Sequence, residues 1–192
     1  MSAGIIALLV VLAIVIIILV WGIVAYNHLV ALRNRVQNGF SQIDVQLKRR
    51  TDLVPNLVET VKGYATHESQ VFQKVTEARA EAVKAASSNG STTADRAQAE
   101  SALSNALMAL QATAEAYPDL KANQNFLQLQ DQLSDLEQKI AYARQFYNDV
   151  VQKLNTAVQT FPSNVIAGMF HFSQAQYFQV AESDKSVPQV KF

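Results

Sequence analysis

The chain has 192 residues, and its 16 basic and 16 acidic side chains cancel, so no overall positive field draws it to nucleic acid. It has no cysteine, which excludes disulfides, a thiolate nucleophile and a Cys-ligated zinc site. Few Gly and Pro among many Ala and Gln point to a mainly helical chain.

Residues 1–4 form a short tail. Residues 5–25, "IIALLVVLAIVIIILVWGIVA", carry no charge. About 20 apolar residues cross a hydrocarbon core of ~30 Å, so the stretch predicts a transmembrane helix. A cleaved signal peptide would need a basic leading segment and a shorter apolar run. The opening "MSAGII" has neither the glycine-second lipidation pattern nor a lipobox cysteine. Trp21 and Tyr26 suit an interfacial position, and Arg33 and Arg35 lie close enough to reach headgroups. These arginines follow the span and no Lys or Arg precedes it. The positive-inside rule then puts the N-terminus outside and the large C-terminal part in the cytoplasm, at an inner (plasma) membrane.

Beyond the span, apolar residues recur at Leu29, Val36, Phe40, Ile43, Leu47, Val54, Leu57, Val61, Tyr64, Phe72 and Val75. Steps of three, four and seven predict one helical stripe running to about Ala86. The stripe keeps its phase through Pro55. Either Thr51 or Asp52 caps a helix that restarts with Pro55 in its first turn, or Pro55 kinks a continuous helix and leaves the Thr51 carbonyl unpaired. Both bend the axis near residues 51–55. Arg49, Arg50 and Asp52 are expected to secure that bend.

Residues 87–93, "SSNGSTT", read as a turn, with a helix cap at Thr92 or Thr93. Asn89-Gly90-Ser91 fits a glycosylation acceptor but is more simply a turn signal. A second helix is expected over about 94–117, with Leu103, Leu107 and Leu110 on one face, ended by Pro118. A third covers about 121–160. Its stripe is Leu133, Leu136, Ile140, Ala143, Tyr147, Val150, Leu154, Ala157 and Phe161, a heptad seam of coiled-coil type. Pro162 stops it. A short helix or turn and a mostly irregular tail follow. The aromatic residues concentrate late, at Phe161, Phe170, Phe172, Tyr177, Phe178 and Phe192.

The expected fold class is all-α: an N-terminal single transmembrane helix, then an antiparallel helical bundle of three to four long helices over 26–161, then the aromatic-rich 162–192. Part of the first stripe, at Leu29, Val36, Phe40 and Ile43, is expected to lack an intramolecular partner and to serve as an assembly surface.

Signals for chemistry are weak. "HESQV" at 67–71 starts like the zinc-protease motif but has Val71 where the second histidine belongs. His28, His67 and His171 are far apart in sequence. Asp131, Asp135 and Glu137 lack the Glu-x-x-His pattern of a bundle metal site. No catalytic residue, metal or cofactor is expected, and the chain is not expected to be an enzyme. Lys48, Arg49 and Arg50 stand ~35 Å beyond the membrane on a straight helix, several Debye lengths of ~8–10 Å. They are expected to be solvated or paired with acids on a neighbouring helix rather than to bind phosphate or acidic lipid.

"YNHLVALRNRVQNGFSQIDVQLKRRTDLVPNLVETVKGYATHE" (26–68) resembles the core block of LemA family proteins. "FPSNVIAGMFHFSQAQYF" (161–178) and the terminal "VPQVKF" resemble that family's C-terminal block. The resemblance implies a single-span bacterial membrane protein with a helical bundle and no characterised catalytic activity. It also implies roles in membrane organisation, or in quality control beside a membrane protease. The function expected is a membrane-anchored scaffold that contacts lipids, self-associates as a homo-oligomer and recruits partners. The alternative is an adaptor or regulatory subunit of a membrane enzyme such as a protease.

Overall fold

The computed structural model describes residues 3–88 and 90–179. Asn89 of the turn sequence and the terminal "VPQVKF" with Phe192 lie outside the described residues. Six helices occur in the described chain: α1 (Ala3–Lys62), α2 (Ser69–Ser87), α3 (Thr93–Glu115), α4 (Pro118–Lys121), α5 (Gln124–Gln159) and α6 (Ser163–Met169). No strand occurs among the described residues. The all-α class is as the apolar periodicity predicts.

Helix α1 runs unbroken through Pro55, so the helix does not restart there. It ends at Lys62, short of the expected Ala86. Residues 63–68, "GYATHE", turn the chain, with the amides of Tyr64 and Ala65 both bonded to the Val61 carbonyl. Ala65, fully buried, anchors the turn in the core. Thr92 caps α3: its hydroxyl accepts from the Asp95 amide, and the Asp95 carboxylate accepts from the Thr92 amide. This reciprocal pair satisfies two donors that a helix start leaves unpaired. Pro118 opens α4 rather than closing α3, which ends at Glu115. The Asn123 side chain accepts from the Phe126 amide at the start of α5.

The chain packs as two compact units. One gathers residues 3–39 and Asn148–Gln176; the other gathers Phe40–Tyr147 and residues 177–179.

In the second unit, α2 and α3 pack side by side as a helical hairpin. The core there is built from α1 (Val54, Leu57, Val61), α2 (Phe72, Val75), α3 (Leu103, Leu107, Leu110) and α5 (Phe126, Leu133). Each set steps by three, four or seven residues, the spacings that place side chains on one helical face. Phe178 is buried in this unit beneath the Arg144 guanidinium, 5.1 Å from its ring centre.

In the first unit the buried apolar side chains among the described residues are Leu29, Leu32 and Val36 of α1, Val150, Val151 and Leu154 of α5, and Ala167 of α6. The seam expected on α5 fades toward its end: Ala157 is half-buried and Phe161 is exposed. Ser163 ties off the end of α5 by donating to the carbonyls of Ala157 and Thr160. The peptide bond before Pro162 is cis. Buried Asn155 grips the extended segment after α6. Its Nδ2 donates to the Ala175 carbonyl at 3.0 Å, and its Oδ1 accepts from the Ala175 amide at 2.8 Å.

Candidate functional site

The three adjacent cations of the basic triplet meet three different fates, because neighbours on a helix point about 100° apart. Lys48 lies in solvent and pairs with Asp52 one turn on, at 2.9 Å. Arg49 is exposed. Arg50 is fully buried, its side chain 0% exposed, in the second unit. Its Nη1 donates to Glu137 Oε1 at 2.5 Å and to Ser104 Oγ at 2.9 Å. Its Nη2 donates to the Glu100 carboxylate and to the Glu100 carbonyl. One guanidinium thus ties α1 to α3 and α5. Arg144 also acts electrostatically on Glu100, so two cations balance two carboxylates.

Burial pushes the Glu100 carboxyl above its ordinary range, while the adjacent Arg50 pulls it down. A charge out of water is tolerated only when paired and hydrogen-bonded, and the planar fork of Arg suits several acceptors at once. Pairing with acids on a neighbouring helix was one expectation for these cations; the burial of Arg50 and the identity of its partners were not read, although a signal was present. Arg50 fills the gap between Leu47 and Val54 in the α1 stripe. Glu100 lies three residues before Leu103 in the α3 stripe. Two opposite charges at core positions of two helices imply each other.

Pro55 has no amide hydrogen, so the Thr51 carbonyl loses its partner four residues on. Arg79 of α2 supplies one: its Nε donates to that carbonyl at 2.7 Å. The Thr51 hydroxyl turns back to the Lys48 carbonyl at 2.8 Å. Thr51 and Asp52 therefore cap nothing. Asp52 is held by Lys48, and the cation that meets the Thr51 carbonyl is Arg79 rather than Arg49. Pro55 itself is exposed.

The residues expected on an uncovered stripe are largely covered within the chain. Leu29 and Val36 are buried in the first unit, and Ile43 in the second. Half-buried Phe40 lies 5.8 Å from the Tyr147 ring, with the Arg96 guanidinium 5.0 Å from its own. Arg96 also bonds Asp44 and the Ala86 carbonyl.

The residues expected at a membrane interface meet an aromatic group in the first unit. Tyr26 packs on Phe170, ring centres 4.7 Å apart, and edge-on to Phe172 at 5.9 Å. Arg33 lies over Phe172 at 5.2 Å. Trp21 and Arg35, with His28, Asp149 and Lys153, line a shallow groove of about 870 Å³. His28, His67 and His171 are all exposed. No group of three or more residues able to hold a metal occurs among the described residues.

A family model described as LemA family matches residues 39–192. The chain belongs to the LemA family. That match takes in the Arg50 cluster, the Arg79 contact, and Phe170 and Phe172 after α6. Protein LemA of Metamycoplasma hominis is 27% identical over 159 residues, 83% of this chain and 71% of the relative. Magnetosome protein MamQ 2 of Paramagnetospirillum magneticum is 26% identical over 80% of this chain. Magnetosome protein MamQ of Magnetospirillum gryphiswaldense is also 26% identical over 80% of it. The chain spans 64% of the length of either magnetosome relative. None of these names is that of an enzyme.

Proposed function

We propose that this LemA family chain is a membrane-anchored, non-enzymatic helical scaffold that self-associates and recruits partners at a membrane. One observation carries the reading: the apolar stretch in α1 is long and apolar enough to cross a bilayer, and none of it is buried inside the protein. A core helix of equal hydropathy would be covered by its neighbours. Arg33 and Arg35 follow the stretch, which favours a cytoplasmic position for the rest of the chain. The bacterial inner membrane fits that assignment. The magnetosome names of two relatives support a role in organising membranes.

With Leu29, Val36 and Ile43 covered, self-association needs another surface. Tyr142 and Phe146, one turn apart on α5, are exposed at 71% and 44% and suit it. The test is native mass in mild detergent for the full chain and for Tyr142→Ser with Phe146→Ser. A multiple of the 21.1 kDa chain mass that falls to the single-chain value in the variant supports the reading. A single chain in stoichiometric complex with a membrane enzyme, such as a protease, would replace it with the adaptor reading.

A further inference from the structure

We infer that α6 and the residue before its proline form an interfacial foot, a second bilayer contact set beside the end of the α1 span. This deepens the reading of α1 as a membrane anchor and rests on it.

Phe161 lies just before α6, and Val165 and Met169, four residues apart, share one face of that helix. They are exposed at 82%, 52% and 64%, with Phe170 beside them at 51%. Ala167, on another face, is buried. The segment "FPSNVIAGMF", 161–170, carries no charge. Clustered large apolar side chains left in water mark a contact surface.

The level of this surface identifies its partner. A methyl group built on Gly22 would lie 3.7 Å from Ile166 Cδ1, so α6 packs directly against the last turns of the apolar stretch. Tyr26, just past that stretch, stacks on Phe170. The exposed apolar face of α6 is therefore continuous with the exposed apolar surface of the span, at the depth where hydrocarbon gives way to headgroups. Trp21, which suits that boundary, lies one residue before Gly22. The first cations after the span, Arg33 and Arg35, lie ~15–20 Å further along the axis than Gly22, and Arg35 lines, with Asp149 and Lys153, the groove that Pro162 and Ser163 also border. A short uncharged apolar element at this depth fits lipid, lying in the interface plane with its apolar face ~5–10 Å into the headgroup–acyl boundary.

The chain has no cysteine, so single-cysteine variants of the full chain carry one environment-sensitive fluorophore each. The positions are Val165→Cys and Met169→Cys on the foot, Ile14→Cys in the span and Tyr142→Cys as an exposed site in the second unit. Each is placed in phosphatidylcholine–phosphatidylglycerol liposomes whose lipids carry a quencher near the headgroup or near the chain end. The expected result is loss of fluorescence at 165 and 169 with the shallow quencher, at 14 with the deep one, and at 142 with neither. Quenching at 14 but not at 165 and 169 overturns the foot and leaves the span standing. If 165 and 169 are blue-shifted yet unquenched, the face is covered by protein and the lipid assignment is overturned. Absence of quenching at 14 as well removes the span, and the foot with it.

Discussion

The surroundings of Arg50 and the apolar face of α6 break the same rule in opposite directions. In one, a charge is buried; in the other, hydrocarbon is left exposed. The buried charge is answered within the chain, by Glu100, Glu137 and Ser104. The exposed hydrocarbon is left uncovered by the described residues of its own unit. An anomaly resolved internally belongs to the architecture, while one left open belongs to whatever the protein touches. The basic triplet, expected to be solvated or paired with acids on a neighbouring helix, does both: Lys48 and Arg49 are exposed, and Arg50 is buried against Glu100. The uncharged "FPSNVIAGMF" drew less notice and is the better candidate for contact.

The largest expected effect lies at Arg50. Arg50→Ala leaves Glu100 buried without its partner, which costs about 3–5 kcal/mol, read as a fall in the midpoint of chemical unfolding. Arg49→Ala, one residue away and exposed, is expected to change stability by less than about 0.5 kcal/mol. Equal effects at the two positions would erase the distinction between buried and solvated cations.

Next comes Arg79→Met, which keeps most of the side chain's length but removes the donor to the Thr51 carbonyl. A backbone acceptor left unpaired in a buried place costs about 1–3 kcal/mol. Adding Pro55→Ala restores an amide four residues after Thr51, so the double variant is expected to recover much of that loss. Failure to recover would show that Arg79 acts through packing alone.

A smaller effect is expected from pH. Burial raises the Glu100 carboxyl above 4.5. A carboxyl raised on folding contributes stability that is complete below its unfolded value and is lost as pH rises through the raised one. Glu100→Gln, which cannot ionise, is therefore expected to gain in melting temperature relative to the wild type as pH moves from below 4.5 to neutral. The opposite slope would show that attraction to Arg50 outweighs burial.

The smallest effect is expected at α6. Val165→Ser with Met169→Ser removes side chains that largely face away from the protein, so helix content by circular dichroism should not change. A loss of helicity would make the patch architectural and erase its difference from Arg50.

Much of the fold is legible in the sequence because helical periodicity is a local signal. The stripes of α1, α3 and α5, the Thr92 cap and the stop before Pro162 all rest on residues within a few positions of one another. The break at 63–68 was not read, because Val61, Tyr64, Phe72 and Val75 keep helical spacing across it and no glycine there takes a left-handed conformation. Which acids pair with Arg50 was not read, because they lie 50 and 87 residues away. Residues 39–192 carry the family match, yet what separates Arg50 from Arg49 is its place in the stripe, a matter of geometry rather than composition.

The contact between Arg79 and the Thr51 carbonyl also solves a problem of alignment. Apolar side chains repeat along a helix face, so a neighbouring helix can slip by one turn, about 5.4 Å, and still find hydrocarbon to cover. Hydrophobic burial alone gives two smooth helices no unique sliding position. A proline breaks that translational degeneracy, because it exposes one carbonyl that occurs nowhere else on the helix. Arg79 reads that carbonyl as an index mark. Since α2 is joined to α3, fixing one arm of the hairpin at this notch fixes the other, and with it the height at which Glu100 arrives opposite Arg50.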